Sequence, residues 1–160
     1  PMLPMADFDN RDEVKARFDL ICGEGAAPNA YRGIPELDWE QTEDDEEGNI
    51  NGIFHVPGPA PFYQDHFPQR PVFPGSLLME VCMRFVNAAA NARSKPEAGG
   101  TWKTLAISRM KIRDFTNPGE DLKLSAKLTE ETADSATWLT EFSKDGQVNG
   151  TVRVLLVASE

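Results

Sequence analysis

The pattern of apolar positions is clearest between residues 76 and 93, where it predicts an α-helix. Apolar side chains recur there at steps of three, four and seven residues, so they fall on one helix face. The segment follows Pro74-Gly75, has Ser76 as its expected N-cap, and ends before Pro96. The residues of the apolar face are Leu77, Leu78, Val81, Cys82, Phe85, Val86 and Ala89.

Segments with β-strand patterns lie on both sides of this helix. One strand is expected to start near Leu37 and a second covers 50–56, with the acidic turn of residues 42–49 between them. After the helix, four strands are expected at 102–115, 121–130, 136–143 and 148–157, separated by turn sequences such as Asp145-Gly146. A long antiparallel sheet needs an apolar partner, and the helix supplies it. The expected fold class is therefore α+β, with one long central helix wrapped by a curved antiparallel sheet.

Two other regions have a less regular pattern. Residues 10–20 predict a short amphipathic helix, and 23–34 a loop. Between positions 57 and 74 closely spaced prolines predict an extended loop without regular structure. These prolines are Pro57, Pro59, Pro61, Pro68, Pro71 and Pro74.

Composition places the chain among ordinary globular proteins, with 40% hydrophobic and 26% charged residues. A length of 160 residues predicts a single domain over 1–160. No apolar run approaches the roughly 18 residues that a membrane span needs, and the start of the chain lacks a basic segment followed by an apolar one. A cytoplasmic protein that does not enter membranes is expected. Cys22 and Cys82 have no metal-ligand spacing around them, so both are interpreted as ordinary thiols.

The net charge of −10 argues against a nucleic-acid partner, because phosphate binding needs clustered Lys and Arg. Residues 1–60 hold 14 acidic and 4 basic side chains, whereas residues 61–160 hold 12 of each. The second part even contains a basic segment, in which only Glu97 is acidic between positions 84 and 113. Its basic residues are Arg84, Arg93, Lys95, Lys103, Arg109, Lys111 and Arg113.

Candidate chemistry is concentrated in the proline-rich loop and the start of the helix. Each residue also has a structural interpretation: His66 and His55 as hydrogen-bonded surface residues, and Glu80 as the partner of Arg84 in a solvated helix ion pair. Gly75 can simply serve the turn, although backbone N–H groups at a helix start also bind anions and oxyanions.

The combined stretch FYQDHFPQRPVFPGSLLMEV, residues 62–81, resembles the signature of the bacterial (3R)-hydroxyacyl-acyl-carrier-protein dehydratases, the FabZ-type hot-dog enzymes. In that family His-Phe-Pro is followed by Arg-Pro-Val, then by Pro-Gly, then by a helix that carries Glu. Here His66 precedes Glu80 by the family's 14 residues. The stretch MKIRDFTNPGEDLKL, residues 110–124, is similar to a further family segment, so the resemblance covers about residues 50–157. Residues 1–45 diverge from the family.

The resemblance implies a hot-dog fold, a homodimer or a trimer of dimers, and active sites that pair His66 of one protomer with Glu80 of another. The implied reaction removes water from a 3-hydroxyacyl thioester, carried on the phosphopantetheine of an acyl carrier protein, in fatty-acid or related lipid or polyketide biosynthesis. No metal or redox cofactor is expected. Related dehydratase-isomerases carry Asp at the position of Glu80, so the resemblance implies dehydration without double-bond isomerisation.

Further roles are implied around this pair. Gly75 would donate its N–H to the developing enolate oxygen, and Phe62, Tyr63, Phe67 and Phe73 would shape the acyl tunnel or simply pack the core. The seven basic residues between 84 and 113 would receive the acidic carrier protein, unless they are scattered solvated charges. Arg84 stands where the family usually has Gln, and its charge is expected to disfavour a protonated Glu80. Two alternatives stay open: a hot-dog acyl thioesterase, and an acyl-binding hot-dog protein without catalytic activity.

Overall fold

The computed structural model describes residues 12, 15, 16, 19, 37–46, 48–58, 60–64, 66 and 70–159. Of the helix expected at 10–20, only residues 12, 15, 16 and 19 are described, and these are helical. The loop expected at 23–34 lies outside the described residues. The described residues group into two compact units. The first contains 56–73 and 116–120 together with the described part of 1–36, and the second contains 37–55, 74–115 and 121–159. The single domain over 1–160 stays a prediction.

The second unit contains a helix packed against an antiparallel sheet, as the sequence predicts. Its helix, α1, spans Gly75–Arg93. The strands of the described residues are β1 Trp39–Gln41, β2 Ile50–His55, β3 Thr101–Ile112, β4 Asp121–Glu131, β5 Ser135–Lys144 and β6 Gln147–Ser159. Their order in the sheet is β1-β2-β4-β5-β6-β3, and all neighbours are antiparallel. Strands β1 and β3 therefore form the two edges.

Buried and half-buried side chains alternate along the strands, and the buried ones form the inner face of this sheet. On β5, Ala136, Trp138, Thr140 and Phe142 are buried, while the residues between them are half-buried on the other face. Val152, Val154 and Leu156 continue the inner face on β6. Helix α1 contacts β3, β5 and β6 and buries its apolar side against this sheet. The buried residues of the helix are Leu78, Val81, Cys82, Phe85, Val86, Ala89 and Ala90.

The predicted turn at Asp145-Gly146 is confirmed. Both residues have positive φ, 50° and 78°, as a two-residue hairpin turn between β5 and β6 requires. The other strand boundaries differ from the expected ones by a few residues at most.

The predicted N-cap of the helix is wrong. Helix α1 begins at Gly75, one residue earlier than expected, and Pro74 is the N-cap without a side-chain hydrogen bond. The carbonyl of Pro74 accepts hydrogen bonds from the N–H groups of Leu77 and Leu78, both at 3.0 Å. Ser76 consequently lies within the first turn and cannot cap it.

The proline-rich loop of the first unit was expected to have no regular structure, and this expectation is wrong in part. Pro61–Gln64 forms a short 3₁₀ helix. Proline suits its first position, because its φ is preset and its missing N–H would have no partner there. The ends of the loop are tied to residues 116–120: Val56 donates to the carbonyl of Glu120 at 2.9 Å, and Phe73 donates to that of Thr116 at 2.7 Å.

Among the described residues, no helix is long and apolar enough to cross a membrane.

Candidate active site

His66 follows the 3₁₀ helix of the first unit, and hydrogen bonds of its backbone and of its ring help to hold it. Its backbone N–H donates to the carbonyl of Phe62 at 3.2 Å, and its ring Nδ1 lies 3.2 Å from the carbonyl oxygen of Val72. A carbonyl can only accept, so Nδ1 must carry the proton in this contact. The neutral ring then has its basic lone pair on Nε2. The side chain is half-buried, so the loop positions a histidine in the tautomer that a general base needs.

Aromatic residues that precede and follow His66 in the chain pack against one another in the loop. Tyr63 is fully buried and donates its hydroxyl to the carbonyl of Pro57 at 2.8 Å. The ring of Phe62 lies 4.5 Å from that of Tyr63 and 5.9 Å from that of Phe73, measured between centroids. Tyr63 and Phe73 thus pack the loop itself, and their expected contact with substrate stays a prediction. Phe67 lies outside the described residues.

Glu80 lies on the exposed side of α1 in the second unit. The residues of this side are spaced four positions apart in the sequence, and they change from polar to apolar towards the C-terminal end of the helix. The exposed residues are Ser76, Glu80, Arg84, Ala88 and Ala92. The pairing of Glu80 with His66 stays a prediction.

Gly75 is the first residue of α1, where backbone N–H groups have no carbonyl one turn earlier to bind. The positive end of the helix dipole adds to the affinity of such N–H groups for negative oxygen. This position fits the expected oxyanion donor, and that role too stays a prediction.

Arg84 extends towards strand β1. Its guanidinium donates to the carbonyl of Leu37 at 3.3 Å and to the carboxylate of Asp38 at 3.4 Å. It also lies over the ring of Trp39, with Cζ 5.5 Å from the centroid. In the described residues, the ion pair of Arg84 is therefore with Asp38, across 46 positions of the chain, rather than along the helix with Glu80.

The other basic residues of the segment are all exposed, and four of them belong to β3 or follow it directly. These four are Lys103, Arg109, Lys111 and Arg113. Arg109 has φ 52°, in the left-handed region that non-glycine residues seldom adopt, where β3 is irregular between Ser108 and Lys111. Lys95 follows α1, and Arg93 donates to the carbonyl of Gly48 at 2.9 Å. Carrier-protein docking by this set stays a prediction.

A groove that no sequence pattern predicted lies over the exposed side of α1. It has a volume of about 510 Å³ and lies between the two edge strands of the sheet. Its lining residues are Trp39 of β1, Thr104 of β3, and Met83, Arg84, Asn87 and Ala88 of the helix. The signal that was available is the small, apolar Ala88 on the same exposed side as Glu80, two turns further along.

His55, the second candidate histidine, belongs to a surface ion cluster in the second unit. Its Nδ1 lies 2.6 Å from a carboxylate oxygen of Asp121, and its Nε2 lies 3.7 Å from one of Glu40. The hydrogen bond with Asp121 raises the pKa of His55. These contacts support the structural interpretation of this histidine.

Comparison with known proteins identifies the family to which the chain belongs. The profile of the ApeI-like family, described as ApeI dehydratase, matches residues 40–151, which is most of the chain. The chain belongs to this family of dehydratases.

Relatives of this ApeI-like chain include 3-hydroxyacyl-acyl-carrier-protein dehydratases named FabZ. The one from Streptococcus thermophilus is 31% identical over 132 residues, which cover 82% of this chain and 90% of the relative. The one from Macrococcus caseolyticus is 33% identical over 88 residues, covering 55% of this chain and 60% of the relative, so that match spans less than two thirds of that protein.

Solved structures confirm the predicted hot-dog fold. A putative thioesterase from Ralstonia eutropha, described as a phenylacetic acid degradation-related protein, superposes with a TM-score of 0.59 over 81% of this ApeI-like chain and 94% of its own. Only 17% of the residues are identical, so the similarity shows the shared fold and nothing about the reaction.

Proposed function

We propose that this protein dehydrates (3R)-3-hydroxyacyl thioesters to trans-2-enoyl thioesters. The observation that carries the proposal is the hydrogen bond from His66 Nδ1 to the carbonyl of Val72, because it presents a basic Nε2 from the loop that bears the dehydratase signature. Membership of the ApeI-like family and the similarity to FabZ dehydratases support it.

The first step removes a proton from C2 of the substrate. That carbon is only weakly acidic, so the base must be positioned before reaction, and His66 Nε2 takes this proton. The negative charge that develops on the thioester oxygen is stabilised by the N–H of Gly75 at the start of α1.

The second step breaks the bond between C3 and its hydroxyl group. Hydroxide is a poor leaving group, so a protonated Glu80 donates its proton as the bond breaks, and water leaves. The double bond forms between C2 and C3. One proton has then moved to His66 and one has left Glu80, so the pair must exchange a proton with solvent before the next turnover.

A homodimer completes this site in our proposal. Glu80 is exposed to solvent on a single chain, whereas the elimination of water needs a site from which bulk solvent is excluded. The long edge strand β3 also carries Leu105, which is 63% exposed, and an unpaired edge of this kind favours pairing with another strand. A second copy that brings its His66 to Glu80 would shield the carboxyl group from water.

In this proposal the acyl chain occupies the groove that lies over α1 and begins about one turn beyond Glu80. Ala88 lies about 12 Å beyond Glu80 along the helix axis, so the groove leads away from the reacting carbons. Met83, Ala88 and Trp39 offer apolar surface to the chain. The phosphopantetheine thioester of an acidic carrier protein approaches from the other end, attracted by basic residues such as Lys111 and Arg113. No metal or redox cofactor takes part in this reaction scheme.

The test is product formation from 3-hydroxyacyl thioesters by the wild type and by His66→Ala and Glu80→Gln. The wild type is expected to form the conjugated trans-2-enoyl thioester without the isomerised product. Each substitution is expected to lower kcat by at least about 100-fold, as for the loss of a general acid or base. His55→Gln is the matched histidine control and should retain activity.

The alternatives give different products in the same assay. Release of free acid and thiol would identify a thioesterase, and saturable binding without any product would identify an acyl-binding protein. Either result would reject the dehydratase proposal. Comparison of carrier-protein and coenzyme A thioesters then identifies the preferred carrier.

A further inference from the structure

The side chain of Ile112 occupies the space beside the first residue of the helix. A Cβ built on Gly75 would lie only 2.7 Å from Cδ1 of Ile112, closer than side-chain carbons approach one another. Gly75 thus leaves room for Ile112, which is the last residue of β3. Both residues belong to the second unit.

Backbone conformation does not explain why glycine stands at position 75. Gly75 opens an α-helix, and it is absent from the glycines with positive φ, which are Gly48, Gly99, Gly100, Gly119 and Gly146. Alanine would suit helical φ and ψ and has the higher helix propensity. What a side chain at position 75 would meet is therefore the end of the Ile112 side chain, which lies against Gly75.

The sheet holds the backbone of Ile112. It pairs with Gly150 of β6, and Gly150 pairs with Phe142 of β5. The ring of Phe142 covers Gly150, filling the space where a side chain would stand. A row of inner-face positions thus runs across three strands to Ile112, whose side chain is nevertheless 45% exposed. An apolar side chain this open next to a helix start is available to a ligand.

We propose that Ile112 is a specificity-determining residue, which excludes substrates that carry a branch at C2. This inference rests on the proposed dehydratase function. If the thioester oxygen binds the N–H of Gly75, C2 lies two bonds from that oxygen, next to the corner that Cδ1 of Ile112 fills. A methyl group on C2 and the terminal methyl group of Ile112 would compete for the same space. The enzyme therefore selects 3-hydroxyacyl thioesters that are unbranched at C2.

The test compares 3-hydroxybutyryl and 2-methyl-3-hydroxybutyryl thioesters, in both configurations at C2, with Ile112→Val and Ile112→Ala. Valine removes only Cδ1, the atom beside Gly75. The ratio of kcat/KM for branched over unbranched substrate is expected to rise about tenfold in Ile112→Val and further in Ile112→Ala, as for methyl groups in apolar pockets. The activity on unbranched substrate should stay within a few-fold of wild type.

Ile107→Val is the matched control, because it removes the same methyl group from another inner-face isoleucine of β3. Its ratio should equal that of the wild type. A second readout uses Gly75→Ala, whose added methyl group narrows the corner and should lower kcat on both substrates. Combining it with Ile112→Ala should restore most of that loss on the unbranched substrate.

The outcomes separate this inference from the proposed function. An active wild type whose ratio is unchanged in both Ile112 variants would overturn the role of Ile112 alone. An equal loss on both substrates, with no change in the ratio, would show a purely structural role and would also overturn it. A wild type that dehydrates neither thioester would overturn the proposed function and this inference with it.

Discussion

The guanidinium of Arg84 lies over the indole ring of Trp39, with 5.5 Å between its Cζ and the ring centroid. The same side chain donates hydrogen bonds to the carbonyl of Leu37 and the carboxylate of Asp38. Trp39 in turn meets the ring of Phe85 edge-on at 5.7 Å. Arg84 thus attaches β1, an edge strand of only three residues, to the helix.

Replacing Arg84 with Gln, the usual residue of the FabZ-type enzymes that the sequence resembles, should weaken this attachment. The cation–π contact and the hydrogen bonds of a half-exposed arginine together are worth about 1 kcal/mol. A loss of that size lowers Tm by about 2–4 °C in a protein of this length. Thermal unfolding followed by circular dichroism measures the change.

Lys103→Gln is the charge-matched control for Arg84→Gln, because Lys103 is exposed on β3 and should leave Tm unchanged. Dehydratase activity of Arg84→Gln should persist, since the guanidinium is engaged with residues 37–39. An unchanged Tm for Arg84→Gln would mean that the contacts with β1 add nothing to stability.

Filling the groove should shorten the range of acyl chains that the enzyme accepts. Ala88 lines the groove and is exposed, so Ala88→Trp is compatible with the helix yet places an indole ring in the 510 Å³ space. We expect kcat/KM for long-chain 3-hydroxyacyl thioesters to fall at least about tenfold, with little change for the four-carbon substrate. Initial rates over a series of chain lengths measure this.

Ala92 provides the control for the groove, because it lies one turn further along the same exposed side and is not among the lining residues. Ala92→Trp should leave the chain-length profile unchanged. An equal decrease for all chain lengths in Ala88→Trp would instead indicate damage to the fold or to assembly, and would reject the groove as the acyl site.

Local patterns in the sequence predicted the helix, the strands and the Asp145-Gly146 turn, because each depends on periodicity or turn chemistry within a few residues. They did not predict the contacts that depend on tertiary structure. Ser76 was expected to cap the helix because it is a good capping residue, but the carbonyl of Pro74 is the acceptor in the first turn. Arg84 was considered with Glu80 because the two are one turn apart, whereas its observed partners come from β1.

In the candidate site, too, the sequence predicted residues but not their contacts. The signature motif includes both His66 and Val72, but it did not show that the carbonyl of Val72 accepts the hydrogen bond that fixes the tautomer of His66. Nor did it include Ile112, which lies 37 positions from Gly75 in the sequence. The contact of Ile112 with Gly75 depends on how β3 meets the helix, and that of Val72 with His66 on how the loop folds back on itself; the residue types alone encode neither.

The ion cluster of His55 should make stability depend on pH. Its pKa is raised in the folded protein, mainly by the hydrogen bond with Asp121. A raised pKa in the folded state stabilises the fold when pH is below the unfolded-state pKa of about 6.5, and this stabilisation is lost as pH rises through the folded-state pKa. Because the side chains are about half exposed or more, the contribution should be under about 1 kcal/mol.

The measurement compares unfolding in denaturant at pH 5.5 and pH 8.5 for the wild type and for His55→Gln. The wild type should be the more stable of the two at the lower pH, and the difference should shrink at the higher pH. Asp121→Asn, which removes the main partner, should behave like His55→Gln. A difference that grows with pH would contradict the assigned sign.

The hydroxyl of Thr140 should destabilise the fold. Thr140 is fully buried on the inner face of β5, between Ala126 of β4 and Val152 of β6. Within the part of the chain that the structure describes, its Oγ1 has no hydrogen-bond partner. A buried polar group without a partner costs about 1–3 kcal/mol, because it loses its hydrogen bonds to water on folding. Valine has nearly the same shape and no hydroxyl group.

Thr140→Val should therefore increase the free energy of unfolding by about 1 kcal/mol and raise Tm by about 2–4 °C. Thr137→Val, on the half-buried outer face of the same strand, controls for the general effect of valine in a strand and should change stability by less than about 0.5 kcal/mol. A lower Tm for Thr140→Val would mean that its hydroxyl is hydrogen-bonded in solution, with an ordered water molecule as the natural partner in a closely packed interior.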